Sequence, residues 1–341
     1  MSTTRGNVLV TGGAGYIGSH TVISLVKQGF KPVILDNFVN SSPIVIDRLS
    51  NLIGKPISCV QCDCRDNAAL DAVFAAYNFL ALIHFAGLKS VSESISDSLG
   101  YYDCNVSGFI DTLRAAQRAK VDRIIFSSSA TVYRANDQRL ISETDPLQPT
   151  NPYGQSKLIC EQILQDYCIE NPSVSAVILR YFNPIGAHPS GNIGESPLGI
   201  PNNILPFISR VGAGKTPALT IYGGDYETVD GTGVRDYIHV NDLADGHVRS
   251  LEYTQGRKGA KVFNLGTGKG TSVLELVRFF EQENNITIPY TIGPRRLGDL
   301  GQVVANPVLA ERELNFKALR SVAEACRDAW NWTTYNPEGF T

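Results

Sequence analysis

Short apolar runs recur along the first half of the chain, each ending in small or polar residues: 7–11, 32–36, 57–61, 80–85, 123–127 and 174–181. Their length and their Val and Ile content predict buried strands. Between them, residues 16–28, 67–77 and 107–119 repeat apolar positions at helical spacing. Strand and helix in alternation predict an α/β fold with a doubly wound parallel sheet, its strand ends and any ligand lying along one edge. After Phe182 the pattern changes. Residues 183–234 are rich in Gly, Pro and Asn and carry little periodicity. Strand-like runs at 236–240 and 261–265, then helix-like stretches at 272–283 and 308–314, predict a smaller mixed α/β C-terminal substrate lobe. The expected division is a first domain over 1–182, with 235–266 returning to it, and a lobe over 183–341.

The 341 residues suffice for about two modest domains. A net charge of −3 without a basic block argues against a general nucleic-acid or membrane-surface binder. No apolar run is long enough to span a bilayer, and Met1 to Arg5 lead straight into a strand without a signal-peptide core, so a cytoplasmic home is expected. Seven scattered cysteines, an odd number, read as reduced thiols rather than a disulfide framework. Cys59, Cys62 and Cys64 are close together, but no second cluster completes a four-ligand metal site. His20, His84, His188, His239 and His247 form no ligand pattern either, and His84, inside the fourth run, reads as a satisfied buried residue.

Candidate chemistry begins where the first strand ends. Gly12-Gly13-Ala14-Gly15-Tyr16-Ile17-Gly18 follows that strand and opens a helix. Gly12, Gly15 and Gly18 allow a tight turn and close approach of a pyrophosphate to the backbone, with Tyr16 and Ile17 at the helix start. Asp36 closes the second strand, completing a Rossmann dinucleotide fingerprint. Its carboxylate accepts from ribose hydroxyls and repels a 2′-phosphate, and Asn37 and Phe38 supply no cation, so NAD is favoured over NADP. Asp63 and Cys64 beyond the third strand, and Phe85-Ala86-Gly87 at the end of the fourth, fall on the same edge. Asp63 either holds the adenine amino group or serves the next helix start. Lys89 either reaches cofactor hydroxyls or is solvated.

Thr150-Asn151-Pro152-Tyr153 reads as a helix start, with Asn151 as cap and Pro152 in the first turn. Tyr153 and Lys157, four apart, then share a face. A phenol of pKa about 10 is a poor base at neutral pH. A nearby ammonium, a positive helix end and an oxidised nicotinamide all favour the phenolate. Ser129, in the serine run after the fifth strand, is suited to relay a proton to Tyr153, although such runs are often only turns.

Further motifs occur in order: Ser127-Ser-Ser-Ala-Thr-Val-Tyr133, Asn151-Pro-Tyr-Gly-Gln-Ser-Lys157, Arg180-Tyr-Phe-Asn-Pro184, Gly186-Ala-His-Pro-Ser-Gly191, Ile200-Pro-Asn-Asn203, Asp230-Gly-Thr-Gly-Val-Arg-Asp-Tyr-Ile-His239 and Arg295-Arg-Leu-Gly-Asp299. Together with the glycine fingerprint they resemble the UDP-glucose 4-epimerases, extended short-chain dehydrogenases/reductases, over nearly the whole chain. The resemblance implies a UDP-hexose substrate, with Ser129, Tyr153 and Lys157 catalytic. It implies that Asn183, Asn203, Arg235, Arg296 and Asp299 hold the UDP and that Tyr181, Phe182 and Val303 border the sugar. It also implies a homodimer packed through helices of the first domain.

The implied reaction oxidises C4 with NAD, turns the tethered 4-keto sugar and reduces it from the other face, without net redox change. A 4,6-dehydratase of the same fold needs an Asp-Glu pair where Ala130-Thr131 stands. A catalytically silent NAD- and nucleotide-binding regulator is at odds with the presence of Ser129, Tyr153 and Lys157 together. Three departures stand out. Arg134 replaces a usual glycine. Cys104 stands where the family commonly has asparagine, so one cofactor-side hydrogen bond is expected to be missing. Val303 stands where a tyrosine restricts relatives to plain hexoses, which implies acceptance of UDP-GlcNAc as well.

Overall fold

The computed structural model describes residues 5–134, 139–199, 201, 203–296 and 299–341. Ile200, Asn202, Leu297 and Gly298, in two of the motifs above, lie outside the described residues, as do Met1 to Thr4. Seven parallel strands form one sheet in the order Gly259–Leu265, Ser175–Tyr181, Arg123–Ser129, Phe79–His84, Asn7–Thr11, Lys31–Asp36, Ser58–Gln61. Side chains alternate between its faces with the period of two that a strand imposes. Val8, Val10, Ile34, Ile83 and Val177 join one apolar layer, and Leu9, Val33, Leu35, Leu82 and Ile178 the other. Helices Tyr16–Lys27 and Val240–Tyr253 cover the first layer, and helices Asn67–Ala76, Gly108–Arg118 and Pro152–Glu170 the second. Burial on both faces explains why the strands read as nearly continuous apolar runs.

Successive strands wind outward from Asn7–Thr11 to Ser58–Gln61, and the chain then crosses back to place Phe79–His84 on the other side of Asn7–Thr11. At such a switch point the two chain exits diverge and leave a crevice beyond the strand C-termini. The last strand, Gly259–Leu265, adds to the opposite edge beside Ser175–Tyr181.

The remaining elements build a second core. Helices Ile204–Gly212, Val273–Asn284 and Val322–Tyr335 bury Leu205, Ile208, Leu276, Val277, Phe280 and Cys326 together. Asn183–Ile185 pairs with Tyr237–His239, Leu219–Tyr222 with Tyr290–Gly293, and Val234–Arg235 lies between Thr271–Ser272 and Gln302–Val303. The stretch 183–234 is therefore more ordered than its weak periodicity predicts. Helices Ile44–Ile53, Val240–Tyr253 and Val322–Tyr335 also go unpredicted. The strand expected at 236–240 stops at His239, whose ring Nδ1 accepts from the Asn241 N–H and caps the next helix. No helix among the described residues is long and apolar enough to cross a membrane.

Candidate active site

The crevice is shaped by what its glycines leave out. Gly12 has φ +67°, and a Cβ there would stand 2.7 Å from the Ala86 nitrogen, so the glycine turn and the fourth-strand exit Phe85-Ala86-Gly87 abut. A Cβ on Gly18 would lie 2.3 Å from the Gly12 carbonyl oxygen, so the helix start packs directly on the turn. That helix has Gly15 as its N-cap and no side chain capping it. Its first N–H groups and positive end suit an anion, which fits a dinucleotide pyrophosphate. Tyr16 points elsewhere: its hydroxyl donates to Gly186 O at 2.7 Å, across to the second lobe. Ile17 packs against the sheet core.

Asp36, 8% exposed, accepts from Ala14 N at 3.0 Å, Phe38 N at 2.9 Å and Ser41 Oγ at 2.8 Å. The carboxylate is thereby oriented at the turn, as ribose recognition requires. Asp63 is more heavily engaged. It accepts from Asn37 Nδ2 at 2.8 Å and from three Arg65 donors, N and Nε at 2.9 Å and NH2 at 2.8 Å. Arg65 holds its carboxyl well below the ordinary range. Four donors fill the four lone-pair sites of a carboxylate, so an adenine amino group must displace one of them. Asp66, not Asp63, caps the following helix. The Cys64 side chain is buried in the core beside Gly108, and burial pushes its thiol up to about 12. Only the backbone of Cys64 is left to serve a ligand. Lys89 pairs with Glu195 of the second lobe at 2.9 Å.

Asn151 caps helix Pro152–Glu170 by accepting from Gly154 N at 2.9 Å, with Pro152 in the first turn, as the sequence predicts. Such a cap contributes about 1 kcal/mol and sets the helix phase. Tyr153 and Lys157 are both buried, facing the serine run. Ser129 is the polar side chain that acts on the Tyr153 hydroxyl, and its Oγ accepts from Thr131 Oγ1 at 3.0 Å. Lys157 Nζ donates to Ser127 O at 2.9 Å. Burial raises the Tyr153 pKa, Ser129 pulls it the other way, and burial lowers that of Lys157. Burial thus works against the phenolate that Lys157 and the helix end favour, and one of the three ammonium donors of Lys157 is used on the Ser127 carbonyl.

Sequence reasoning missed Asn105 and Glu195. Asn105, 3% exposed, binds both the N–H and the carbonyl of Leu88 and the hydroxyl of Ser156, locking the chain beyond Gly87 to helix Pro152–Glu170. It lies in a single π-helical turn, Asp103–Ser107, with the divergent Cys104 beside it. Such turns often mark functional sites, but the sequence carries no signal for one. Glu195 Oε1 accepts from both Lys89 and Asn203 Nδ2, the latter at 2.7 Å.

Of the other residues implied in the second lobe, Arg235 and Asp299 pair with each other at 2.7 Å, and Arg235 NH1 also donates to Leu300 O. Arg296 stands 4.0 Å from the centroid of the Tyr222 ring, and its carbonyl accepts from Asp299 N at 3.1 Å. Asn183 begins the strand beside Tyr237. The Tyr181 hydroxyl bonds to Ser127 Oγ. Phe182 and Val303 share one apolar cluster with Val132, Tyr133, Ile141 and Ala305.

Comparison with known proteins matches this arrangement. The family model described as NAD dependent epimerase/dehydratase family matches residues 8–266. The UDP-glucose 4-epimerase of Erwinia amylovora is 51% identical over 334 residues, covering 98% of this chain and 99% of that one. Two crystal structures of such epimerases superpose closely. That from Stenotrophomonas maltophila, with bound NAD and formylated UDP-arabinopyranose, has a TM-score of 0.96 at 45% identity, covering 98% and 99% of the two chains. That from Bifidobacterium longum, with NAD+ and UDP, has 0.94 at 46%, with the same coverage. A glycine cradle at the switch point, a Ser-Tyr-Lys group at its mouth and likeness over nearly the full length converge: the chain belongs to the NAD-dependent epimerase/dehydratase family.

Proposed function

We propose that the chain is a UDP-glucose 4-epimerase that interconverts UDP-glucose and UDP-galactose by inverting C4. The observation that carries the reading is the buried Tyr153 with Ser129 and Lys157 around it, at the strand ends that flank an uncapped helix start. When bound in that cradle, NAD supplies the hydride acceptor and donor for C4 and the further positive charge that makes Tyr153 a base. Gly12, Gly15 and Gly18 would cradle its pyrophosphate and Asp36 its ribose, with Asn37, Asp63 and Lys89 around them. Tyr153 takes the proton of the sugar 4-hydroxyl through Ser129 and gives it back when C4 is reduced. Lys157 keeps a positive charge near the phenol. Asn183, Asn203, Arg235, Arg296 and Asp299 anchor the UDP, the arginines through charge-assisted bonds to the diphosphate. The 4-keto sugar then turns about its diphosphate link within the looser pocket bordered by Tyr181, Phe182 and Val303. Dehydration is disfavoured because Ala130 and Thr131 bring no acid or base, and the Thr131 hydroxyl is spent on Ser129.

The test is incubation of the purified protein with UDP-glucose and no added cofactor, read by NMR for the C4 epimer. Tyr153→Phe is expected to lose about 10²–10⁴ in kcat while retaining NAD. A Tyr153→Phe enzyme near the parental rate overturns the assignment.

Valine at 303 supports acceptance of UDP-GlcNAc too. We place NAD on 1–182 with 235–266, and the UDP-sugar on the rest of 183–341. Homodimerisation is supported by exposed Ile95, Leu99 and Ile169 on helices of the first unit, and a doubled mass in light scattering is the expected result. Seven free thiols fit a cytoplasmic home.

A further inference from the structure

Three consecutive serines close the strand Arg123–Ser129, and each is tied to a different turn of helix Pro152–Glu170. Ser129 meets Tyr153, the Ser127 carbonyl accepts from Lys157, and Ser128 Oγ donates to Glu161. Tyr153, Lys157 and Glu161 follow at intervals of four and so share one face. Glu161 is completely buried. Its carboxylate is met by Arg180, which lies directly opposite Ser128 on the neighbouring strand. Arg180 Nε stands 3.0 and 3.1 Å from the two oxygens, and NH2 is 2.6 Å from Oε2. The remaining nitrogen, NH1, donates at 3.1 Å to both the Tyr133 hydroxyl and the Glu143 carbonyl. From there the chain of bonds runs through Asn264 to the Ile141 carbonyl, and Ile141 N bonds Val304 O, beside Val303.

A buried ion pair is a poor source of stability, because an apolar pair of similar volume is often as stable or more so. This pair sits where the reacting helix must be held in register on the reacting strand. We infer that Glu161, gripped by Arg180, is a positioning residue for the C4 proton transfer. Its bond to Ser128 fixes the helix along the strand, so that Tyr153 meets Ser129 and Lys157 meets Ser127. The inference rests on the epimerase reading.

The test uses the NAD-loaded protein, Glu161→Gln, and the double variant Glu161→Met with Arg180→Met. A register error of about 1 Å costs on the order of 10²-fold in rate. Both variants are therefore expected to lose about that much in kcat and in single-turnover reduction of the nicotinamide, with KM and UDP affinity within threefold of the parent. The double variant removes the buried charges together but leaves the Ser128 hydroxyl and the Glu143 carbonyl without these partners, so it is assayed below its own melting temperature, where it is expected to stay slow. It also carries the test if Glu161→Gln does not fold. A double variant that regains parental kcat overturns the positioning role. A parent protein without epimerase turnover instead removes the reading beneath it.

Discussion

Gly18→Ala sets two physical effects against each other. Gly18 lies inside helix Tyr16–Lys27, where alanine is worth about 1 kcal/mol over glycine in helix propensity. On propensity alone the variant gains stability. The added Cβ, however, would lie 2.3 Å from the Gly12 oxygen and 2.8 Å from the Gly13 Cα, inside the 3.0 Å floor of real Cβ contacts. Those atoms are backbone, so no side-chain rotation relieves the overlap. Overpacking of this kind costs about 1–3 kcal/mol, and the Gly12 oxygen must also loosen the bond it accepts from Gly15 N at 3.1 Å, a further ~1 kcal/mol. The net expectation is a loss of about 1–3 kcal/mol. Because the strain falls on the turn that would cradle the pyrophosphate, NAD affinity should drop by roughly 5- to 150-fold. Calorimetric titration with NAD and a thermal melt measure the two consequences separately. A variant that melts higher than the parent and binds NAD within threefold of it refutes the close-packing argument.

Acid stability should follow the buried histidines. Burial pulls His20 and His84 down to about 3 and His247 to about 4. Each is neutral in the folded chain and gains a proton on unfolding below about 6.5. Their contribution is complete above that pH and is lost as pH falls toward 3–4, at about 1.4 kcal/mol per pH unit each. Melts across pH 4–7 (roughly the window those values define) should show the decline, and His84→Gln should reduce its slope by one proton; an unchanged slope counts against the assignment. Val303→Tyr should cut turnover of UDP-GlcNAc relative to UDP-glucose by about tenfold or more, the scale of a misfit group in a closed pocket. Equal losses on both sugars, followed by chromatography, would remove the gate from Val303.

The first half of the fold was legible because its strands are buried on both faces. Runs such as Val8 to Val10 and Ile124 to Phe126 can hardly be anything else, and the glycines at 12, 15 and 18 mark where the first run turns. Helix Val240–Tyr253 escaped for the opposite reason: its buried face carries Asp242, His247 and Ser250 among the leucines, so the apolar period is broken. Asp242 is there to meet Arg320 and the Leu319 N–H, partners far away in sequence. The Tyr153-Lys157 pair could be found from its spacing and its cap. That Lys157 donates to the Ser127 carbonyl could not, because a strand end and a helix turn meet only in three dimensions. The same holds for Glu161, whose role depends on Ser128 and Arg180 standing side by side on adjacent strands.

The late arrival of strand Gly259–Leu265 bears on how the chain is made. Strand Ser175–Tyr181 is buried along its whole length, and among the described residues its outer edge is paired only by that later segment. At 5–20 residues per second, the ribosome adds the 84 positions from Tyr181 to Leu265 in roughly 4–17 s. During that interval the nascent chain carries an apolar strand edge able to pair with a neighbour. A gene fragment ending near Phe182 should therefore make inclusion bodies rather than a usable half-protein, and chaperone demand should peak during synthesis of the second lobe.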